Sequence, residues 1–272
     1  MVFADFPLSG EDAAVAGKGN RQGNITMKSR VSGVSGGVLA AVLAAGFVFG
    51  GPTAGWAADD ITEAASIARG GKLYDKWYKV VGQKAPTESH KLYPADKEYA
   101  KKANANWRCK ECHGWDGLGK DGAYAKGKHF SGIKGINGMA GGDPAKVVAL
   151  LKAPAHGFTD KLSDRDFTDL ANFVTKGQVD MDKYIDRAAK TPKGDAAKGA
   201  AYYQTICAGC HGLKGLEPKE MPPLGSLMGN PWEIMHKVLY GQPGEQMPAL
   251  LAIDRQVVTD ILAHLTTLPK ER

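Results

Sequence analysis

The stretch WRCKECHGWDG, residues 107–117, has a counterpart in TICAGCHGLKG, residues 205–215. Each stretch contains two cysteines separated by two residues and followed directly by a histidine. All four cysteines of the chain belong to these two motifs, so none is left over for another purpose. A doubled motif of this kind predicts a doubled structural unit with the same chemistry in each copy.

The segments around the motifs repeat as well. Each half has an opening amphipathic segment, then the cysteine motif, then a middle and a closing helix. The middle helices begin at Asp143 and Asn230, each followed by a proline suited to the first helical position, and Gly241 is expected to end the second. The closing helices occupy residues 163–177, with a Ser163 to Asp166 capping pattern, and residues 254–268. No segment alternates apolar and polar residues as a strand would, so the sequence predicts an all-α fold.

Domain boundaries follow from the repeat and from changes in composition. Pro86 and Pro94 mark a polar insertion in the first half, expected to be a surface loop with one helical turn. The predicted divisions are an upstream extension plus signal peptide at 1–57, a first domain at 58–185 with its insertion at about 79–106, a linker at 186–195, and a second domain at 196–272.

The first 57 residues have the pattern of an export signal. Lys28 and Arg30 precede an apolar run at residues 31–51, and small residues at Gly55 and Ala57 suit cleavage before Ala58. Met27 directly precedes the basic residues, which makes it a candidate for the true start. The sequence therefore predicts export to the periplasm, with an uncleaved membrane anchor as the less favoured alternative.

The formal net charge of +6 is spread along the chain and forms no basic arm. This distribution argues against a nucleic-acid partner and indicates weak attraction to an acidic protein partner.

Cysteines with this spacing are found in four kinds of site. A disulfide leaves the histidines unexplained, a four-cysteine zinc site would join motifs separated by a whole helical unit, and a thioredoxin-type pair expects a βαβ setting. Covalent haem uses every residue, because thiols three positions apart on a helix face the same way and can bond both vinyl groups of one porphyrin edge. The following histidine then ligates the iron. The sequence thus predicts two haem c groups, attached at Cys109, Cys112, Cys207 and Cys210, with His113 and His211 as proximal ligands.

On these motifs the chain, from about residue 63 to 268, resembles the class I cytochrome c family, and in particular two-domain dihaem cytochromes of the bacterial periplasm. The resemblance implies two helical domains, each around one haem c. It implies Met247 as the distal ligand in the second domain, ahead of Met221 and Met228. It also implies that Pro222 or Pro223 offers its carbonyl to the Nδ1 proton of His211.

The distal ligand of the first haem is less clear from the sequence. Counting back from the closing helix places the equivalent of Met247 at Gly157 or His156, so His156 is the expected ligand. The alternatives left open are Met139, His129, His90 and an open iron. His236 and His264 are expected to be surface or half-buried helical residues without a functional role.

The expected function is electron transfer, because an iron with both axial positions filled cannot bind substrate without losing a ligand. Electron donor and acceptor proteins are the expected partners, with association with a membrane oxidoreductase possible in principle. The resemblance also includes dihaem peroxidases and thiosulfate dehydrogenases, so an enzyme at the first haem is the alternative. Its anion site would use His129 with Lys126, Lys128 and Lys134, whose simpler interpretation is a solvated basic loop. A third alternative is the cytochrome subunit of a larger complex.

Overall fold

The computed structural model describes residues 55–272, with side chains from residue 62 onward; the upstream extension and most of the predicted signal peptide lie outside the described residues. The first half consists of α1 (Gly55–Val80, kinked at Lys76), α2 (Ala103–Asn106), α3 (Cys109–His113), α4 (Pro144–Lys152) and α5 (Asp164–Asn172), which continues as a π-helical turn over Phe173–Gly177. The second half consists of α6 (Ala196–Ile206), α7 (Ala208–His211), α8 (Leu224–Leu227), α9 (Pro231–Tyr240) and α10 (Arg255–Leu265). Short 3₁₀ turns lie at Asn137–Met139 and Met181–Lys183. The described chain is therefore mostly helical.

The helix ends mostly follow the capping signals. Asp143 caps α4 by accepting a hydrogen bond from the Ala145 amide at 2.8 Å, and Ser163 and Asp166 form a reciprocal capping box on α5. Gly241 ends α9 with a positive φ of 87°. Asn230 occupies the N-cap position of α9 but does not cap it, because its amide donates to the Glu233 carboxylate instead.

The repeat is visible in how the opening and closing helices cross. Gly70 in α1 packs directly on the backbone of Asp169 in α5, and Gly199 in α6 packs in the same way on Asp260 in α10. A Cβ at either glycine would overlap the facing carbonyl oxygen. Asp169 and Asp260 are both the sixth residue of their helices. Glycine at the contact thus lets each helix pair approach more closely than any side chain would allow.

The connection between the halves contains a short two-stranded sheet. Ile185–Asp186 (β1) pairs antiparallel with Thr191–Pro192 (β2), so the prediction of an all-α chain was wrong at this point. The pairing forms because Ile185 is buried and the Ala189 amide donates to the Asp186 carboxylate at 2.8 Å, closing the turn between the strands. The predicted linker is therefore a short hairpin.

The insertion contains a single helical turn, α2, as expected, but several of its side chains are buried. His90, Tyr93 and Asn106 are all less than a tenth exposed. The Asn106 side chain accepts from the His90 amide and donates to the carbonyls of Tyr99 and Ala100. The insertion is thus a packed part of the first half.

The two halves pack on each other through α1 and α9, and the described residues form one compact unit. The ring of Tyr240 lies against Gly71, where a Cβ would overlap it, and the Tyr240 hydroxyl donates to the Gly177 carbonyl. The imidazole of His236 lies 2.9 Å from the Gly71 carbonyl oxygen. Within residues 55–272, no helix is both long and apolar enough to cross a membrane.

Candidate functional site

The first cysteine motif lies on the short helix α3. The Nδ1–H of His113 donates to the carbonyl oxygen of Lys134 at 2.8 Å, which leaves Nε2 with its lone pair free to bind a metal. Gly114 follows with a positive φ of 78°, and its carbonyl accepts a hydrogen bond from the Tyr74 hydroxyl at 2.6 Å. This bond ties α1 to the turn behind the motif and so fixes the orientation of the histidine.

The second motif repeats this arrangement. The Nδ1–H of His211 donates to the carbonyl of Glu217 at 3.1 Å, Gly212 has a φ of 69°, and the Gly212 carbonyl accepts from the Tyr203 hydroxyl at 2.7 Å. The prediction that Pro222 or Pro223 supplies the carbonyl was wrong. After Gly212 the chain turns back towards His211 at Glu217, which precedes the proline pair in the sequence. The carbonyl of Glu217 therefore accepts the hydrogen bond from His211.

The donor set of each motif fits covalently attached haem. The four cysteines are unpaired, and in the described part of the chain no three His, Cys, Asp or Glu side chains come together as a lone metal ion would require. Cys109 and Cys112 span one turn at α3, while Cys207 directly precedes α7 and Cys210 lies within it. Each histidine keeps its Nε2 free beside its thiol pair. Disulfide and zinc interpretations gain no support from this geometry.

Charges inside the first motif are buried. Lys110 and Glu111, between the two cysteines, pair at 2.6 Å, and the second carboxylate oxygen of Glu111 lies 2.8 Å from Nδ1 of His129. Although burial opposes it, the hydrogen bond from His129 and the charge of Lys110 lower the pKa of Glu111. His129 itself is stacked between Tyr99 and Tyr124, with ring centroids 4.8 and 4.5 Å away. These contacts commit His129 to Glu111 and leave it a poor candidate for iron ligand or anion site.

The lysines of the proposed anion site are all exposed: Lys126, Lys128 and Lys134. Because His129 is occupied by a carboxylate, these cations do not converge with it on a pocket. Their geometry matches a solvated basic surface.

Two histidines lie near His113. Burial lowers the pKa of His113, and the neighbouring charges of His156 and His90 lower it further. His156 lies in the loop after α4 and is half-buried. His90 is held at both ring nitrogens: its Nδ1 accepts from the Leu92 amide at 3.1 Å, and its Nε2 lies 2.9 Å from the His156 carbonyl oxygen. The ring of His156 has a backbone hydrogen bond to Leu150, which leaves its other nitrogen for a metal.

The four methionines considered as distal ligands differ in burial and in their place in the fold. Met228 is buried and ends α8, just before α9, and Met139 ends the 3₁₀ turn before α4, half-buried against the core. Met247 is half-buried in the loop between α9 and α10. Met221 lies beyond Glu217 on the loop that holds His211.

A buried charge cluster joins the halves near the first motif. The Asp75 carboxylate is paired with Arg108 of the first half and with Lys237 of the second, the latter at 2.8 Å. Burial alone would raise the pKa of Asp75, but these two cations lower it well below its usual range. Arg108, Lys110 and Lys237 also lie over the ring of Trp115, at 5.8, 5.2 and 5.4 Å from its centroid. None of this clustering is visible in the sequence, because its members lie far apart along the chain.

His236, expected near the surface, is 1 % exposed, and that prediction was wrong. It packs among Tyr74, Trp115, Phe173 and Tyr240 at the contact between the halves. Burial lowers its pKa to about 4. His264 is half-buried, as expected.

Comparison with known protein families supports the second motif. Residues 194–265 match the family described as cytochrome C oxidase, cbb3-type, subunit III, a range that takes in α6 to α10. The second half is therefore a cytochrome c domain, and its motif implies at least one haem c bound through Cys207 and Cys210. No curated protein and no solved structure matches the chain.

Proposed function

We propose that this protein is a dihaem c-type cytochrome that carries single electrons between redox partners of a respiratory chain. Bound haem supplies reversible one-electron chemistry at iron. The observation that carries the proposal is the repetition, around both cysteine motifs, of the same histidine, glycine and tyrosine contacts. The second half has independent support as a cytochrome c domain, so the matching first half is best explained by a second haem at Cys109 and Cys112.

The proposed proximal ligands are His113 and His211. In both, the bond from Nδ1 to a backbone carbonyl favours the tautomer whose Nε2 can bind iron, and holds the ring against rotation. The chain thus orients each ring before any metal binds it.

The proposed distal ligands are His156 and Met247. Met247 stands seven positions before the N-cap Asp254, and His156 stands seven positions before the N-cap Ser163. The charge of His156 lowers the pKa of His113, and this interaction supports the same pairing. Met139 lies before α4, at the place that Met228 occupies before α9, and this favours a packing role for it.

An electron carrier is favoured over an enzyme because the residues considered for a substrate site near the first haem are engaged elsewhere or point to solvent. His129 is bound to Glu111, and the three lysines around it are exposed. If both axial positions are filled, substrate cannot reach the iron directly.

The proposed location is the periplasm, reached through the predicted signal at residues 1–57, with two haem domains at 58–185 and 196–272. Electron donor and acceptor proteins are the proposed partners. A second candidate function is that of a cytochrome subunit in a larger oxidoreductase, which the description of the matching family as an oxidase subunit favours. Purification of the tagged chain from its host distinguishes the two, since a subunit arrives with fixed partners in constant ratio.

The haem content of the purified protein tests the proposal. The pyridine haemochrome assay combined with intact-protein mass should give two haems per chain. Replacing both Cys109 and Cys112 by Ala should leave one covalently bound haem, and replacing both Cys207 and Cys210 should also leave one. A wild-type chain with a single haem, lost only with the second pair of cysteines, would refute the dihaem proposal.

A further inference from the structure

The insertion of the first half has no counterpart in the second, and one of its buried side chains, that of His90, contacts the loop of the proposed distal ligand. His90 is 7 % exposed, and its backbone amide donates to the Asn106 side chain at 2.9 Å. Asn106 is the last residue of α2, three positions before the haem-attaching Cys109. His90 is thereby anchored to the segment that carries the first motif.

The hydrogen bonds of His90 define its tautomer. Its Nδ1 accepts the Leu92 amide, so that nitrogen carries no proton. The proton is therefore on Nε2, which donates to the backbone carbonyl of His156 at 2.9 Å. Neither ring nitrogen is left for a metal, and this changes His90 from a rival ligand into a support for His156.

Further contacts hold the same loop to the insertion. The ring of Trp107 lies 4.4 Å from that of His90 and 5.4 Å from that of Phe158, both edge to face. The Gln83 amide donates to the Lys161 carbonyl at 3.1 Å, and the Lys161 ammonium lies 5.1 Å from the centre of the Trp107 ring. The loop that begins after α4 is thus held at His156, Phe158 and Lys161.

The loop of Met247 is held differently. The Leu250 amide donates to the Val238 carbonyl at 3.0 Å, and Arg255 donates to the carbonyls of Leu251 and Ile253. These contacts come from α9 and α10 of the same half. The Met247 loop also lies beside Lys72 and Lys79 at Gly241 and Gly244. Among the described residues, the hydrogen bonds from Gln83 and His90 of the insertion go to the loop of His156.

We infer that His90 is a positioning residue that clamps the His156 loop onto the first haem site, and that this is the role of the insertion. The inference rests on the proposed function, in which His156 is the distal ligand. Loss of one buried hydrogen bond increases opening of the loop on the order of tenfold. If haem is bound at Cys109 and Cys112, opening of the loop would admit small ligands from solution to its iron, and the clamp would keep them out.

The test compares His90→Gln, whose amide retains a donor to the His156 carbonyl, with His90→Leu and His90→Asn, which lack a donor of sufficient reach. The readouts on the full holoprotein are the rate of cyanide binding to the oxidised form and amide hydrogen exchange at His156 and Gly157. In the His90→Leu and His90→Asn variants, cyanide binding at the first haem and amide exchange at His156 and Gly157 should both be about tenfold faster than in the wild type. The His90→Gln variant should stay near the wild-type values. The second haem is the internal control.

Unchanged cyanide binding and exchange in the Asn variant would overturn the inference, even if the Leu variant fails to fold. Loss of a bis-histidine spectrum in the Gln variant would also overturn it, because His90 would then itself be the ligand. A His156→Ala variant separates failure of the clamp from failure of the proposed function. If that variant leaves the spectra of both haems unchanged, His156 is not the ligand and the proposed ligand set fails, whatever His90 does.

Discussion

Acid should destabilise this protein partly through His236. This side chain is 1 % exposed, its Nε2 lies 2.9 Å from the Gly71 carbonyl oxygen, and its Nδ1 has no hydrogen-bond partner among the described residues. Protonation would place a charge in an aromatic pocket beside two cations, Arg108 and Lys237, with Asp75 as the one opposing charge. Burial is the main reason that the pKa of His236 falls from its ordinary value of 6.5 to about 4.

The sign and size of the effect follow from proton linkage. Above pH 6.5 the imidazole is neutral in both states, and its contribution to stability is fully present. As pH falls below 6.5 the unfolded state takes up the proton while the folded state resists until about pH 4, so the free energy of unfolding decreases. A shift of this size costs about 3 kcal/mol once pH is below 4, and about 2 kcal/mol of that is lost between pH 7 and pH 5.

The assay is urea unfolding of the holoprotein at pH 7 and pH 5, followed by far-ultraviolet circular dichroism. His236→Gln keeps an amide donor for the Gly71 carbonyl but does not titrate, so its loss of stability between the two pH values should be smaller than wild type by about 2 kcal/mol. The matched control is His264→Gln on α10, where burial also lowers the pKa but the side chain is only half-buried, so its slope should change by less than that of the His236 variant. An unchanged slope in the His236 variant would mean that protonation of His236 does not cause the loss of stability in acid.

Three other substitutions probe different parts of the structure. Gly199→Ala forces α6 away from α10 and should cost about 1–3 kcal/mol in urea unfolding, whereas Gly229→Ala, with open space around its Cβ position, should cost little. Met247→His replaces thioether sulfur by imidazole and should lower one of the two haem potentials in a spectroelectrochemical titration; two unmoved potentials would remove Met247 from the ligand set. Lys237→Met removes one of the two cations paired with the buried Asp75 and should lower the free energy of unfolding by about 3 kcal/mol. Wild-type stability would mean that the Arg108–Asp75 pair alone is sufficient to stabilise the buried carboxylate.

The sequence was sufficient for features that depend on nearby residues. The capping box at Ser163, the cap at Asp143 and the stop at Gly241 are local signals, and the structure contains all three. The internal repeat could also be recognised from the sequence, since each half has the same order of helices around its cysteine motif. The cytochrome c character of the second half followed from that motif and is supported by the family match at residues 194–265.

Features that depend on backbone atoms or on distant contacts were not predictable. The carbonyls that orient His113 and His211 belong to Lys134 and Glu217, and a carbonyl is present at every residue whatever its side chain. His236 has no distinctive neighbours in sequence, and its burial results from the packing of the second half on Gly71. The hairpin at residues 185–192 is too short to leave a strand pattern.

Near-infrared magnetic circular dichroism of the fully oxidised protein is the decisive measurement, because its charge-transfer bands distinguish axial ligand pairs at each iron. We expect two low-spin haems, one with histidine and methionine ligands and one with two histidines. A high-spin signal, or two histidine–methionine signals, would contradict the assignment of His156 and Met247 as the distal pair.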